Sequence, residues 1–263
     1  MTLDFMLKKY RELCCTIQSL SIEIMTLAQF LKVGQPQRPI VVLRHDVDRS
    51  LDSATRMAEL EAEIGIKSTY YFRAKPNVFQ PIALKYINHL GHEVGYHYEV
   101  LTKARGNSQR AIVLFEQELS QFRKVVPIET ISMHGSPLLP WDNRHLWHHF
   151  NFKDYNLLGE AYLSIDYREV YYFTDTGRSW SAGRYNIRDR IESRQPSNAI
   201  HNTNELINFL KSRPDGPVLI NTHPNRWSSN VWAWGISLTS DLVSNQAKLT
   251  IRWPYNLLGY TNE

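Results

Sequence analysis

Four short segments of this sequence carry side chains suited to acid–base or metal chemistry. Arg44-His45-Asp46-Val47-Asp48 follows the apolar run Ile40-Val-Val-Leu43. His97 stands in Tyr96-His97-Tyr98-Glu99, His134 in Met133-His134-Gly135, and His223 in Asn221-Thr222-His223-Pro224. Residues two apart on a strand point to the same side, so Asp46 and Asp48 can face one pocket. Two carboxylates that close repel each other unless a cation lies between them or one is protonated. A divalent metal held by one resolves the conflict and leaves the other to act as a base. The plainer alternative for Asp48 is a helix cap, with Ser50 and Asp52 close by.

Every candidate has a structural alternative. His223 could simply end a strand before Pro224. His97, between two tyrosines, could be a buried and hydrogen-bonded histidine. His89 and His92 fall at or before the start of a strand and read as structural. His145-Leu-Trp-His148-His149 follows Asp142-Asn143, a helix start, and reads as solvated or structural rather than as a metal cluster. Trp141, Trp180, Trp227, Trp232 and Trp234 fall in loop-like or late segments. An aromatic face can line a carbohydrate groove, yet most buried aromatics are core. One His or Asp at a strand end is unremarkable; four coincident strand ends favour a site.

The elements that position these residues alternate. Residues 4–31 read as an amphipathic helix, broken by Gly34-Gln-Pro-Gln-Arg-Pro39. The run at 40–43 is apolar and β-branched, as a strand buried on both faces is. A helix follows, with Ala54, Met57, Leu60 and Ile64 on one face and Gly65 to end it. Strands are expected at 68–72, 92–98, 128–133 and 218–222, with helices at 82–90, 108–126 and 203–211. The stretch 150–200 is less regular, with strand-like pieces at 157–165 and 169–174. This alternation means βαβ units and a parallel sheet, either a closed or partly closed β/α barrel or an open doubly wound sheet. In both, active sites lie at the C-terminal strand ends, where the four segments fall. No Gly-rich phosphate turn follows the first strand, and neither GxxxxGK[ST] nor GxSxG occurs.

Composition narrows the class. The chain has 263 residues, 43% hydrophobic and 21% charged, which excludes disorder and low complexity as the main character. Its 30 basic and 26 acidic residues give a net charge of +4, without a Lys/Arg cluster of the kind that binds nucleic acid. The two cysteines, Cys14 and Cys15, are adjacent, so no disulfide framework is expected and a reducing compartment fits. There is no secretory h-region and no apolar run of membrane-spanning length, so the expected setting is the cytoplasm.

The motifs resemble those of the polysaccharide deacetylase family, the carbohydrate esterase group built on the NodB homology domain (carbohydrate esterase family 4). That family's first motif is an apolar strand ending in an Asp pair, spaced Asp-x-Asp in one branch, as in Asp46-Val47-Asp48. Its second typically reads Gly-His-Glu-hydrophobic-Gly-x-His, matched by Gly91-His92-Glu93-Val94-Gly95-Tyr96-His97. Its last is an apolar strand ending in His, matched by Val218-Leu-Ile-Asn-Thr-His223. The three motifs occur in order over residues 40–224.

The resemblance implies a single-domain distorted (β/α) barrel over 39–263, after an N-terminal helical extension over 1–38. It implies a metal-dependent deacetylase: Asp46 the general base, His223 the general acid, Asp48 and His97 metal ligands. The ion would be divalent, zinc foremost, with iron, cobalt or nickel as alternatives. Where the family carries a second metal-binding His, this chain has Leu101. His134 is the favoured replacement and Glu99 the alternative; failing both, a weak two-ligand site or none remains. The family's third-motif Arg has no match, although Arg44 is near. Asp175-Thr-Gly-Arg178-Ser-Trp180 resembles the fourth motif, whose Arg and Trp buttress the base and the acid. The expected substrate is an N-acetylated sugar or intermediate of surface polysaccharide biosynthesis. The alternatives are an amidohydrolase acting on a small cyclic amide or imide, and a non-catalytic carbohydrate-binding protein.

Overall fold

The computed structural model describes residues 3–136, 139–180 and 191–257, with side chains to residue 246. Residues 181–190, inside the irregular stretch expected at 150–200, lie outside the described residues.

The centre of the fold is β2 (Ile40–Val47), buried along its whole length. It pairs in parallel with β3 (Thr69–Arg73) on one side and β8 (Val218–Thr222) on the other. The sheet continues from β3 through β4 (Glu93–Tyr98) and β5 (Thr130–Met133) to β6 (Gly159–Glu160), and from β8 to β7 (Tyr171–Thr174). Every pairing is parallel. Among the described residues β6 and β7 do not pair, so the sheet curls into a barrel that stays open along one seam.

Helices cover the outside. Ser50 caps α3 (Leu51–Ile64), its hydroxyl accepting from the Ser53 amide at 3.3 Å. Gly65 ends that helix with φ of +84°, a left-handed conformation that glycine adopts without Cβ strain. Asn107 caps α6 (Ser108–Arg123), which buries Ile112, Phe115, Leu119 and Phe122 at spacings of three and four. Val41 and Leu43 of β2 pack outward with residues of α1 (Leu7–Ser19), α3 and α7 (Thr203–Lys211). The alternate residues of β2, Arg44 and Asp46, face the barrel interior.

Two expectations are corrected. Residues 4–31 are not one helix: α1 ends at Ser19, Glu23–Met25 form β1, and α2 (Leu27–Lys32) follows under a Thr26 capping box. β1 pairs with Ile40–Val42, on the edge of β2 that β3 takes over from Arg44 onward. The N-terminal segment thus completes the sheet. The strand-like piece at 157–165 shrinks to two paired residues, Gly159 and Glu160. Of the tryptophans expected in loop-like or late segments, Trp232 and Trp234 lie on a long helix, α8 (Val231–Leu257).

Gly95 illustrates how tightly the interior is filled. A Cβ there would fall 2.3 Å from the Tyr71 ring and 3.0 Å from the Thr130 carbonyl. Only a bare α-carbon lets Tyr71 lie across β4 and bond Thr130 at 2.6 Å.

Candidate metal and acid–base site

Parallel pairing sets the C-terminal ends of β2, β4, β5 and β8 at one end of the barrel. Asp46 is buried, and both its oxygens are engaged. Arg44, two residues back on the same face, donates from Nε to Oδ1 at 3.1 Å and from Nη2 to Oδ2 at 2.8 Å. Asn221 Nδ2 adds a bond to Oδ2 at 3.0 Å. Burial raises the Asp46 pKa, but the Arg44 charge and hydrogen bonds, together with His97 and His223, outweigh it and hold the carboxyl below its ordinary value. Arg44 is itself fixed, by Ser132 Oγ of β5 at 2.6 Å and by the Tyr162 ring, 4.4 Å from guanidinium to centroid.

Asp48 lies just beyond β2. Its Oδ1 is 3.5 Å from His97 Nε2 and 3.5 Å from His134 Nε2. The two imidazoles meet edge to face, their centroids 5.3 Å apart. Tyr98 pairs with Met133, which sets His134 beside His97 on the neighbouring strand end. Each ring is oriented from behind. His97 Nδ1 donates to the Ser132 carbonyl at 3.0 Å. His134 Nδ1 lies 3.0 Å from Ser136 Oγ and 3.3 Å from Glu99 Oε2. A proton fixed on Nδ1 leaves the Nε2 lone pair facing Asp48, the arrangement that metal-binding histidines adopt. Burial lowers the His134 pKa, which keeps that ring neutral.

Among the described residues no three His, Cys, Asp or Glu side chains stand as a ready-made metal cluster. Asp48, His97 and His134 come near one, and a divalent ion fits them on two grounds. Asp48 Oδ1 is buried without a hydrogen-bond partner, an acceptor that calls for a cation. Donors sharing a tetrahedral zinc at about 2.0–2.1 Å stand about 3.4 Å apart, close to the spacing found here.

Glu99 does not join this trio. Besides orienting His134, it is ion-paired with Arg73, whose Nη1 reaches the Asp48 carbonyl at 3.5 Å. Leu101 is buried apolar packing on α5 (Val100–Lys103).

The third group is built on β7 and β8. His223 Nδ1 bonds Asp175 Oδ1 at 2.7 Å, and the His223 amide donates to Asp175 Oδ2 at 2.9 Å. Arg226 and Trp227 also donate to Asp175, at 2.6 and 3.0 Å. Burial raises the Asp175 pKa, but Arg226 and then His223 bring it down to about 2. The rest of the fourth-motif expectation is corrected. Arg178 turns to α8, bonding Asp241 at 2.7 Å and Ser237 at 2.6 Å. Trp180 donates to Thr203 and packs on Trp227, so it reaches the site only through that ring.

Sequence reading gave no site role to Asn221, Ser132 and Arg226, and named Trp227 only among aromatics that could line a groove. Period-two alternation could have found the first two, since Asn221 and Ser132 stand two residues before His223 and His134. Nothing local marks the other two, whose role comes from meeting Asp175 at the end of the neighbouring strand β7.

No family model matches the chain, and no curated protein matches it. Solved structures do. A CE4-family pseudoenzyme from Bacillus anthracis is 13% identical with a TM-score of 0.44, over 79% of this chain and 62% of that one. A mutant of that pseudoenzyme with restored enzymatic activity is 12% identical with a TM-score of 0.45, over 82% and 64%. The CE4 domain of a multidomain xylanase from the hindgut metagenome of Trinervitermes trinervoides is 15% identical with a TM-score of 0.38, over 78% and 83%. The chain thus spans less than two thirds of the first two, and these three solved structures to which it is similar are CE4-family proteins.

Proposed function

We propose that this protein is a metal-dependent deacetylase that hydrolyses the amide of an N-acetylated sugar. The observation that carries this reading is the orphaned Asp48 Oδ1 between two imidazole Nε2 atoms, flanked by an Arg-held carboxylate and an Asp-held histidine. Asp48, His97 and His134 would hold the ion. What a bound divalent ion would supply is Lewis acidity, polarising the amide carbonyl and acidifying the attacking water.

The other steps belong to side chains. Asp46, kept ionised by Arg44, takes the proton of the attacking water. The Arg44 and Asn221 bonds fix its carboxylate plane and prevent it from capturing the ion itself. His223 gives a proton from Nε2 to the departing nitrogen, while Asp175 holds Nδ1 and stabilises the positive charge of the protonated ring. Water adds to the carbonyl carbon, the C–N bond breaks, and acetate and a free amine result.

His134 supports the catalytic reading over a non-catalytic carbohydrate-binding one, because it supplies the third donor that Leu101 cannot. The test is acetate release from N-acetylated amino sugars, their oligomers and their phosphorylated forms. It should require added zinc or a related ion, stop with a chelator, and be absent in Asp46→Asn. Zinc-loaded protein that releases no acetate from any of these substrates overturns the proposal.

A further inference from the structure

A groove of about 510 Å³ is walled by the chain segments that follow Asp48 and His223, a volume in the range of small-molecule sites. Its walls include Arg49, Ser53, Arg56, Asn225, Ser229 and Asp241. Its position relative to the chemistry follows from the chain. Arg49 directly follows Asp48, and Asn225 lies two residues after His223. Trp227, another wall residue, bonds the Asp175 that holds His223. In the hydrolysis proposed above, the nitrogen leaves on the His223 side and takes the sugar with it.

The charges lining it are unequal in their freedom. Asp52, also a wall residue, is paired with Arg56 at 2.9 Å. Asp241 is paired with Arg178 at 2.7 Å and lies 3.7 Å from Arg226 Nε. Arg49 is exposed and makes no ion pair among the described residues. Both carboxylates are thus already matched, and the charge left over is the Arg49 guanidinium. Asn225 Oδ1 is buried without a partner, an acceptor left unsatisfied in a residue of the groove wall.

We propose that this groove binds the glycosyl part of the substrate and that Arg49 recognises a phosphoryl group attached to it. The substrate is then a phosphorylated N-acetylated amino sugar, as a monophosphate or through a diphosphate link. This rests on the deacetylase reading for the orientation of the sugar. A guanidinium suits the task, since its planar fork matches two phosphate oxygens at once.

The test is equilibrium binding, which does not depend on turnover. Zinc-loaded Asp46→Asn protein is titrated with N-acetylglucosamine, its galacto and manno isomers, their 1-phosphates, their nucleotide diphosphate forms, and inorganic phosphate. At least one phosphorylated sugar should bind tenfold or more tightly than its neutral parent, with the preference weakening as salt is raised. Arg49→Gln should reduce that ratio to about one, and Arg49→Lys should keep part of it. Whether the monophosphate or the diphosphate binds tighter identifies which form the groove takes. Equal affinity with and without phosphate in all three sugars overturns the inference. So does a preference that survives Arg49→Gln, or inorganic phosphate binding as tightly as the sugar phosphates. A phosphate preference without acetate release by the unmutated protein would sink the deacetylase reading and leave the binding assignment standing.

Discussion

Arg44 and Asp46 stand two residues apart on one strand and bond each other through both carboxylate oxygens, at 3.1 and 2.8 Å. A charged pair this close within β2 needs no contribution from a distant loop. It keeps Asp46 ionised while buried, and the bidentate geometry fixes where its lone pairs point. Asp46→Asn should keep the fold and bound metal, at a stability cost of about 3–5 kcal/mol for leaving buried Arg44 without its carboxylate, and lower turnover by roughly 10²–10⁴, the scale of general-base catalysis. The check is kcat alongside zinc content. A variant that retains most of its turnover would remove Asp46 from the role of base.

The metal trio gives a second expectation. Asp48→Ala, His97→Ala and His134→Ala should each lose tight zinc binding while remaining folded, because a core of this size holds without a metal. Zinc stoichiometry by atomic absorption, paired with circular dichroism, separates the two effects. Glu99→Gln should weaken binding roughly 10–100-fold rather than abolish it, as expected of a residue that only orients a ligand. A Glu99 variant that loses metal completely, beside a His134 variant that keeps a full equivalent, would exchange their roles.

The site was legible at the level of strand ends. Asp46, Asp48, His97, His134 and His223 each follow an apolar run, and parallel strands gather such ends on one face whatever the intervening sequence. β2, β3, β4 and β8 were readable for the same reason, since strands buried on both faces need continuous apolar residues. Glu23–Met25 was hidden because three residues between two helices carry no period of their own, and their strand state comes from pairing with Ile40–Val42. Gly159–Glu160 is likewise a strand only by its pairing with Thr130–Ile131. Arg178 and Trp180 were misplaced because motif order says nothing about which wall a side chain meets. α8 supplies Asp241 and Ser237 to Arg178, and that partner lies about 60 residues further along the chain.

His45, between Arg44 and Asp46, faces the other way and joins a buried polar cluster. Its Nε2 is 2.8 Å from Glu61 Oε1, and its Nδ1 is 2.6 Å from Thr222 Oγ1 on β8. Tyr10, Tyr70 and Ser68 donate to the same Glu61 carboxylate. Glu61→Ala should strand these donors in a dry interior, each at about 1–3 kcal/mol. Denaturant titration should show a loss of several kcal/mol, with Glu61→Gln milder because one acceptor oxygen remains. Zinc affinity per folded molecule should be unchanged, since the cluster lies on the opposite face of β2. A Glu61→Ala protein as stable as the parent would mean that the cluster is hydrated or rearranged.

Asp175 couples the acid to stability, and the sign of its pH dependence can be worked out. Its carboxyl is held down to about 2 by Arg226 and His223 in the folded chain. In the unfolded chain it titrates near about 3.9. A depressed carboxyl stabilises the fold at pH above the unfolded value and loses that contribution as pH falls through the folded one. The contribution is on the order of 2–3 kcal/mol near neutral pH and disappears between roughly pH 4 and 2. Asp175→Asn should therefore flatten the stability–pH curve in that window while lowering stability at pH 7. The loss at pH 7 includes the Arg226 guanidinium, which keeps only the more distant Asp241 as a carboxylate partner among the described residues. Activity should fall as well, because the amide no longer balances the charge of a protonated His223. Denaturant midpoints measured from pH 2 to pH 7, for the parent and the variant, decide the matter. Parallel curves with the same acid slope would show that Asp175 does not carry this coupling.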